Sequence, residues 1–110
     1  MTRILLVEDE EKLARFVELE LTHEGYQVEK AFDGRTGLEL AEKGGFDLLL
    51  LDIMLPGLNG LEVLRRLRKE GSAVPVIMLT ARDAVMDKAQ NKAASAVQIH
   101  VEKDDENKVE

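Results

Sequence analysis

The 110-residue sequence contains no cysteine. No disulfide framework, zinc–thiolate cage or thiol nucleophile is therefore available to it, which fits a reducing compartment. Tryptophan is absent too, and aromatic residues are limited to one tyrosine and three phenylalanines, too few for a base-stacking platform. No apolar run approaches the roughly 20 residues of a bilayer span. The opening run Ile4-Leu5-Leu6-Val7 is cut off at once by Glu8, Asp9, Glu10 and Glu11, too short for a secretory signal. Basic residues are scarce beside acidic ones, 15 against 22, for a formal net charge of −7. That balance argues against a nucleic-acid partner, which demands clustered cations against phosphate. Arg65, Arg66, Arg68 and Lys69 are the local exception. They stand beside Glu62 and Glu70 and read as a solvated helix face. The expectation is one soluble, cytoplasmic domain with no membrane and no direct nucleic-acid contact.

What is present is an alternation of short apolar runs and amphipathic stretches. Arg3 to Val7 reads as a strand buried on both faces. Glu10 to Glu24 places Leu13, Phe16, Val17, Glu20 and Leu21 near helical spacing and is closed by Gly25. Tyr26 to Ala31 alternates as a second strand. Asp33-Gly34 punctuates, and Leu38, Leu40 and Ala41 mark a short helix ending at Gly44-Gly45. Phe46 to Asp52 is the most hydrophobic strand candidate and hence central. Pro56-Gly57 and Asn59-Gly60 mark a loop. Leu61, Val63, Leu64 and Leu67 form an amphipathic helix stopped by Gly71. Val74 to Thr80 is a fourth strand, with Pro75 near its start. Asp83 to Ser95 is alanine-rich and predicted helical, and Val97 to Lys103 alternates as a half-exposed edge strand. Strict alternation with short connections predicts an α/β domain, doubly wound, with a parallel sheet covered on both faces. Ligands in such sheets bind beyond the carboxyl ends of the strands.

Three carboxylates fall at those ends. Glu8 and Asp9 follow the first strand and Asp52 ends the third. If the two strands are neighbours the acids converge, and clustered acids resist ionising unless a cation joins them. Hard oxygen ligands favour Mg²⁺. On spacing alone a second reading stands beside this one, acids placed at a helix N-terminus to suit its dipole. Asp52 ends a leucine-rich strand, where a carboxylate can serve as nucleophile toward a phosphoryl group or simply start the following turn. Thr80 ends the fourth strand, either as a phosphoryl-contacting hydroxyl or as an ordinary β-branched strand residue.

The segments Val7-Glu8-Asp9-Glu10, Asp52-Ile53-Met54-Leu55-Pro56-Gly57-Leu58-Asn59-Gly60 and Pro75-Val76-Ile77-Met78-Leu79-Thr80-Ala81 resemble the three leading signatures of bacterial two-component response-regulator receiver domains. The wording is nearest to the branch with winged-helix output domains. The resemblance runs from Thr2 to about Lys88. It implies a flavodoxin-like five-stranded parallel sheet of order 2-1-3-4-5. It also implies Asp52 as phosphoacceptor for a sensor histidine kinase, and Mg²⁺ held by Glu8 (through water), Asp9, Asp52 and the Met54 carbonyl. Thr80 is implied as the hydroxyl that moves toward the phosphoryl group.

Beyond Lys88 the sequence departs from the family pattern. Counted from Thr80 without a gap, Glu102 falls where the family has a lysine, and Lys103 comes one residue late. A one-residue slip reverses a strand side chain's face, so Lys103 serves only if the preceding loop is longer by one. No proline follows it. Ile99 or His100 stands where the family places a switch aromatic. The tail after Lys103 is charged and short, so the family's fifth helix is expected to be missing. The expected organisation is a receiver-like domain over 1–103, atypical from 89, and a charged tail over 104–110. The abrupt break points to a chimera or a redesign. A missing fifth helix would expose apolar residues, and an edge strand bearing Val97, Ile99 and Val101 would favour self-association through the C-terminal strand.

Two functional readings follow. The first is a signalling phosphoacceptor that is not an enzyme toward other substrates. The second is an engineered or chimeric scaffold that keeps the fold but has lost phosphotransfer or switching. A Mg²⁺-dependent phosphatase is disfavoured, since Ile53 and Met54 supply no acid/base partner after Asp52.

Overall fold

The computed structural model describes residues 1–80 and 98–102. Among these residues the chain forms strands β1 (Arg3–Val7), β2 (Gln27–Ala31), β3 (Leu48–Asp52), β4 (Val76–Thr80) and β5 (Gln98–Glu102). Three helices accompany them: α1 (Glu11–His23), α2 (Gly34–Lys43) and α3 (Gly60–Lys69). The strands join one sheet in the order β2-β1-β3-β4-β5. The predicted helix over Asp83–Ser95 and the tail over 104–110 lie outside the described residues.

Each helix begins where the sequence offers an acceptor to an unpaired backbone N–H. Glu10, Asp33 and Asn59 accept from Leu13, Thr36 and Glu62 at 3.3, 2.7 and 2.9 Å. All three helices close on glycines that adopt positive φ, where an L side chain is strained. Gly25 (φ 97°) ends α1, Gly44 (φ 84°) ends α2 and Gly71 (φ 95°) ends α3.

The leucine-rich strands are buried on both faces, as their lack of alternation predicts. Leu5, Val7, Leu49, Leu51, Val76 and Met78 face α2 and α3, meeting Leu38, Val63, Leu64 and Leu67. Ile4, Leu6, Leu50 and Leu79 face the other way, toward Ala14 of α1, with Val17 and Leu21 packed beside them. One helix residue differs from expectation. Phe16 is 51% exposed, whereas the buried position of α1 is Ala14. Ala14 lies three residues before Val17, on the sheet-facing stripe. Phe16 lies one residue before Val17, which on a 3.6-residue repeat turns it well off that stripe.

The strand order agrees with expectation, but the direction of the last strand corrects it. β5 runs antiparallel to β4, with Val76 opposite Glu102 and Thr80 opposite Gln98. The first four strands are mutually parallel, so the sheet is mixed rather than fully parallel. The physical reason is that residues alternating for a half-exposed edge satisfy either direction. An antiparallel edge strand on a parallel sheet is a common arrangement, and its pairing is slightly stronger per residue. The chain thus re-enters the sheet at the end where β4 leaves it.

Burial separates two leucines of α3. Leu67 is 1% exposed and Leu61 is 56% exposed. Leu67→Ala should lower stability by about 2–5 kcal/mol through lost contacts and a cavity, and Leu61→Ala by no more than about 0.5 kcal/mol. Urea unfolding of the two variants measures the contrast.

Candidate functional site

The parallel register brings the acids together. Val7 stands opposite Leu51, so the next residue on each strand, Glu8 and Asp52, emerges at the same level of the sheet. The backbone of Glu8 is fixed by its N–H donating to the Ala31 carbonyl at 3.0 Å, and that of Ile53 by donating to the Leu79 carbonyl at 3.1 Å. Carboxylate oxygens of Glu8, Asp9 and Asp52 lie within 4.8 Å of one another. Glu8 is 4% exposed and Asp52 8%, while Asp9 is exposed.

Few donors offset this charge. The Glu10 N–H donates to Glu8 Oε2 at 2.9 Å and the Met54 N–H to Asp52 Oδ1 at 3.1 Å. Among the described residues no ion pair reaches any of the three acids. Burial is the largest cause pushing the Glu8 carboxyl up to about 7, with Asp52 and Asp9 adding repulsion against the Glu10 hydrogen bond. Burial also raises Asp52, with repulsion from Asp9 added. The contact between Glu8 and Asp52 acts oppositely on the two, raising Glu8 and lowering Asp52. Burial and mutual repulsion thus hold both carboxyls above their ordinary range, Glu8 the more clearly. Such a donor set, all oxygen and short of positive charge, fits a hard divalent cation.

The loop after Asp52 is shaped by close backbone approach. A Cβ on Gly60 would overlap the carbonyl oxygen of Asp52 and lie 2.9 Å from its carbonyl carbon. The Gly60 N–H donates to the Ile53 carbonyl at 3.0 Å. Gly57 takes a positive φ of 75°.

The expected site residues are placed unevenly. Glu8, Asp9 and Asp52 converge, and Met54 joins them through its N–H; its side chain is 55% exposed. Thr80 ends β4 one residue past Leu79, the partner of Asp52, which puts its backbone at the carboxyl edge; its hydroxyl lies outside the described atoms. Lys103 lies outside the described residues. The residue before it, Glu102, pairs with Val76, at the opposite end of β4 from Thr80. Gly34 was not singled out by the sequence reading, which took Asp33-Gly34 as punctuation. Its signal was available: a glycine opening a helix behind a good N-cap has no need of a special φ.

The family model described as the response regulator receiver domain matches residues 4–108. The chain belongs to that family of signalling domains. It is 62% identical over 85 residues to the uncharacterized transcriptional regulatory protein YkoG of Bacillus subtilis, covering 77% of this chain and 37% of that protein. It is 52% identical over 88 residues to the response regulator ArlR of Staphylococcus aureus, covering 80% of this chain and 40% of that protein. The chain thus spans about two-fifths of the length of these curated relatives. Among solved structures it resembles the response regulator TrrA of Thermotoga maritima in complex with Mg²⁺–BeF. That likeness has a TM-score of 0.72 and 38% identity, covering 80% of this chain and 76% of that one. The receiver domain of the Francisella response regulator 1452 gives a TM-score of 0.72 at 32% identity, covering 82% and 74%.

The raised Glu8 carboxyl has a consequence for stability. A folded-state pKa above the unfolded value means the folded protein holds its proton more tightly. This contribution is fully present below about 4.5 and is lost as pH rises through about 7. The loss is on the order of 1–2 kcal/mol. Urea unfolding in a chelator should show wild-type stability declining across this window. Glu8→Gln should flatten the decline and be the more stable form at pH 8.

Proposed function

We propose that this chain is a signalling phosphoacceptor that accepts a phosphoryl group on Asp52 from the phosphohistidine of a sensor histidine kinase. The observation that carries the reading is the buried Asp52 carboxylate at the end of β3, gathered with Glu8 and Asp9 within 4.8 Å. An Asp52 oxygen attacks phosphorus and an acyl-phosphate P–O bond forms. The P–N bond breaks, and its electron pair stays on the imidazole nitrogen. Mg²⁺ at Glu8, Asp9, Asp52 and the Met54 carbonyl would neutralise charge on the transferring group. The Met54 N–H holds the Asp52 carboxylate in place, and the leucines beneath it limit water. Thr80 is assigned the phosphoryl-contacting hydroxyl. A cytoplasmic location belongs to the same reading, and no helix among the described residues is long and apolar enough to cross a membrane.

The scaffold reading has one observation in its favour. The antiparallel β5 sets Glu102 opposite Val76, so the strand end that Lys103 follows is remote from Asp52. A domain without a lysine at the phosphoryl group would transfer or switch poorly.

Incubation with acetyl phosphate and Mg²⁺, followed by intact mass, separates the two. The phosphoacceptor reading expects one phosphoryl adduct on the wild type and none on Asp52→Asn. An unmodified wild type would leave the scaffold reading. In parallel, millimolar Mg²⁺ should raise the melting temperature of the wild type, because an ion bound to the native state alone stabilises it. Asp9→Ala should lose most of that rise.

A further inference from the structure

Gly34 opens α2 without a positive φ, so backbone freedom does not explain a glycine there. Space does. A Cβ on Gly34 would overlap the carbonyl oxygen of Leu58 and lie 2.7 Å from its carbonyl carbon and 3.0 Å from its Cβ. The obstacle is backbone, which cannot swing aside as the tip of a side chain can. Leu58 belongs to loop 53–59, which joins Asp52 to α3. Gly60 presses the far end of that loop against the Asp52 carbonyl. Near the start of the loop, Met54 donates its N–H to the Asp52 carboxylate.

The first turn of α2 is itself firmly held. Asp33 accepts from the Thr36 N–H at 2.7 Å and from the Thr36 hydroxyl at 3.1 Å. One turn on, Gly37 lies so near Val7 that a Cβ there would stand 2.8 Å from both of its methyl carbons. Val7 immediately precedes Glu8. The N-terminal part of α2 therefore bears on β1 just before Glu8 and on the loop that follows Asp52, the two halves of the acidic cluster.

We propose that Gly34 is a positioning residue for the phosphoacceptor: through the Leu58 carbonyl, the first turn of α2 braces loop 53–59 and so sets where the Met54 N–H meets Asp52. The kinetic part of this inference rests on the reading of Asp52 as phosphoacceptor; the geometric part does not. Misplacing a catalytic group by about an ångström can slow a reaction by roughly a hundredfold, so a methyl group that displaces the loop is expected to show in the rate.

The test compares wild type, Gly34→Ala and Leu38→Ala. Leu38 is a buried residue of the same helix, and its truncation weakens α2 without adding an atom against Leu58. Gly34→Ala should react with acetyl phosphate and Mg²⁺ at least about tenfold more slowly and shift the Met54 amide resonance. Leu38→Ala should lose comparable thermal stability while reacting at a rate near that of wild type. Equal slowing in both variants, or an unslowed Gly34→Ala, overturns the proposal. If wild type forms no adduct, the phosphoacceptor reading fails separately and the Met54 resonance decides: an unmoved resonance in Gly34→Ala refutes the brace. Should Gly34→Ala not fold, Asp33→Ala loosens the same turn without adding bulk. It should then speed hydrogen exchange of the Met54 amide, and unchanged exchange refutes the brace.

Discussion

Two carboxylates taken out of water, with no cationic side chain paired to them among the described residues, are the constraint on which this structure turns. A buried, unpaired charge is among the most expensive features a fold can hold, and a protein normally avoids it by pairing the group or keeping it protonated. Here the raised carboxyl of Glu8 favours holding a proton, and the N–H groups of Glu10 and Met54 offset part of the charge. The remainder is carried by the leucine-rich strands behind them. β1 and β3 are nearly continuous apolar runs buried on both faces, and each well-buried side chain of this kind stabilises by about 1.5–3 kcal/mol. The core therefore holds the cluster in a state that binding a cation or losing charge would improve. Strain of that kind concentrates at functional sites.

Holding such a cluster to useful accuracy needs rigid backbone rather than more side chains. The loop after Asp52 has little regular hydrogen bonding of its own, and the fold fixes it by contact at its ends. Gly60 and Gly34 matter because they lack a Cβ, which lets backbone lie on backbone at Asp52 and at Leu58. Neither has a positive φ. Glycine serves here as an absence of volume, and it does so beside a site whose geometry must be held to a fraction of an ångström.

Much of this was legible in the sequence for identifiable reasons. Unbroken apolar runs marked β1 as doubly buried and β3 as central, and alternation marked β2 as a strand and β5 as a half-exposed edge. The order β2-β1-β3-β4-β5 and the convergence of Glu8, Asp9 and Asp52 followed from the receiver-like motifs. The direction of β5 was not legible, because Gln98, His100 and Glu102 alternate with Ile99 and Val101 identically whichever way the strand runs. Phe16 was grouped with Leu13, Val17, Glu20 and Leu21 by approximate helical spacing, which passed over Ala14, the smaller residue on the sheet-facing stripe that is the buried one in α1. The role of Gly34 was hidden because its contact is with a backbone atom 24 positions away, on which side-chain periodicity carries no information.

The direction of β5 also changes the electrostatic account of Asp52. In a parallel fifth strand, the residues around Glu102 and Lys103 would arrive at the carboxyl edge, where a lysine could meet a phosphoryl group. In the antiparallel strand that edge receives Gln98, opposite Thr80, which carries no charge. A phosphoryl group adds nearly two negative charges at neutral pH to a place that already gathers three acids. Among the described residues, the groups facing Asp52 that can offset this are backbone N–H donors, chiefly that of Met54. If Asp52 takes the phosphoryl group as proposed, a divalent cation at Glu8 and Asp9 would supply positive charge that no described side chain brings to the cluster. A site balanced in this way would depend steeply on that cation, both for accepting the phosphoryl group and for keeping it.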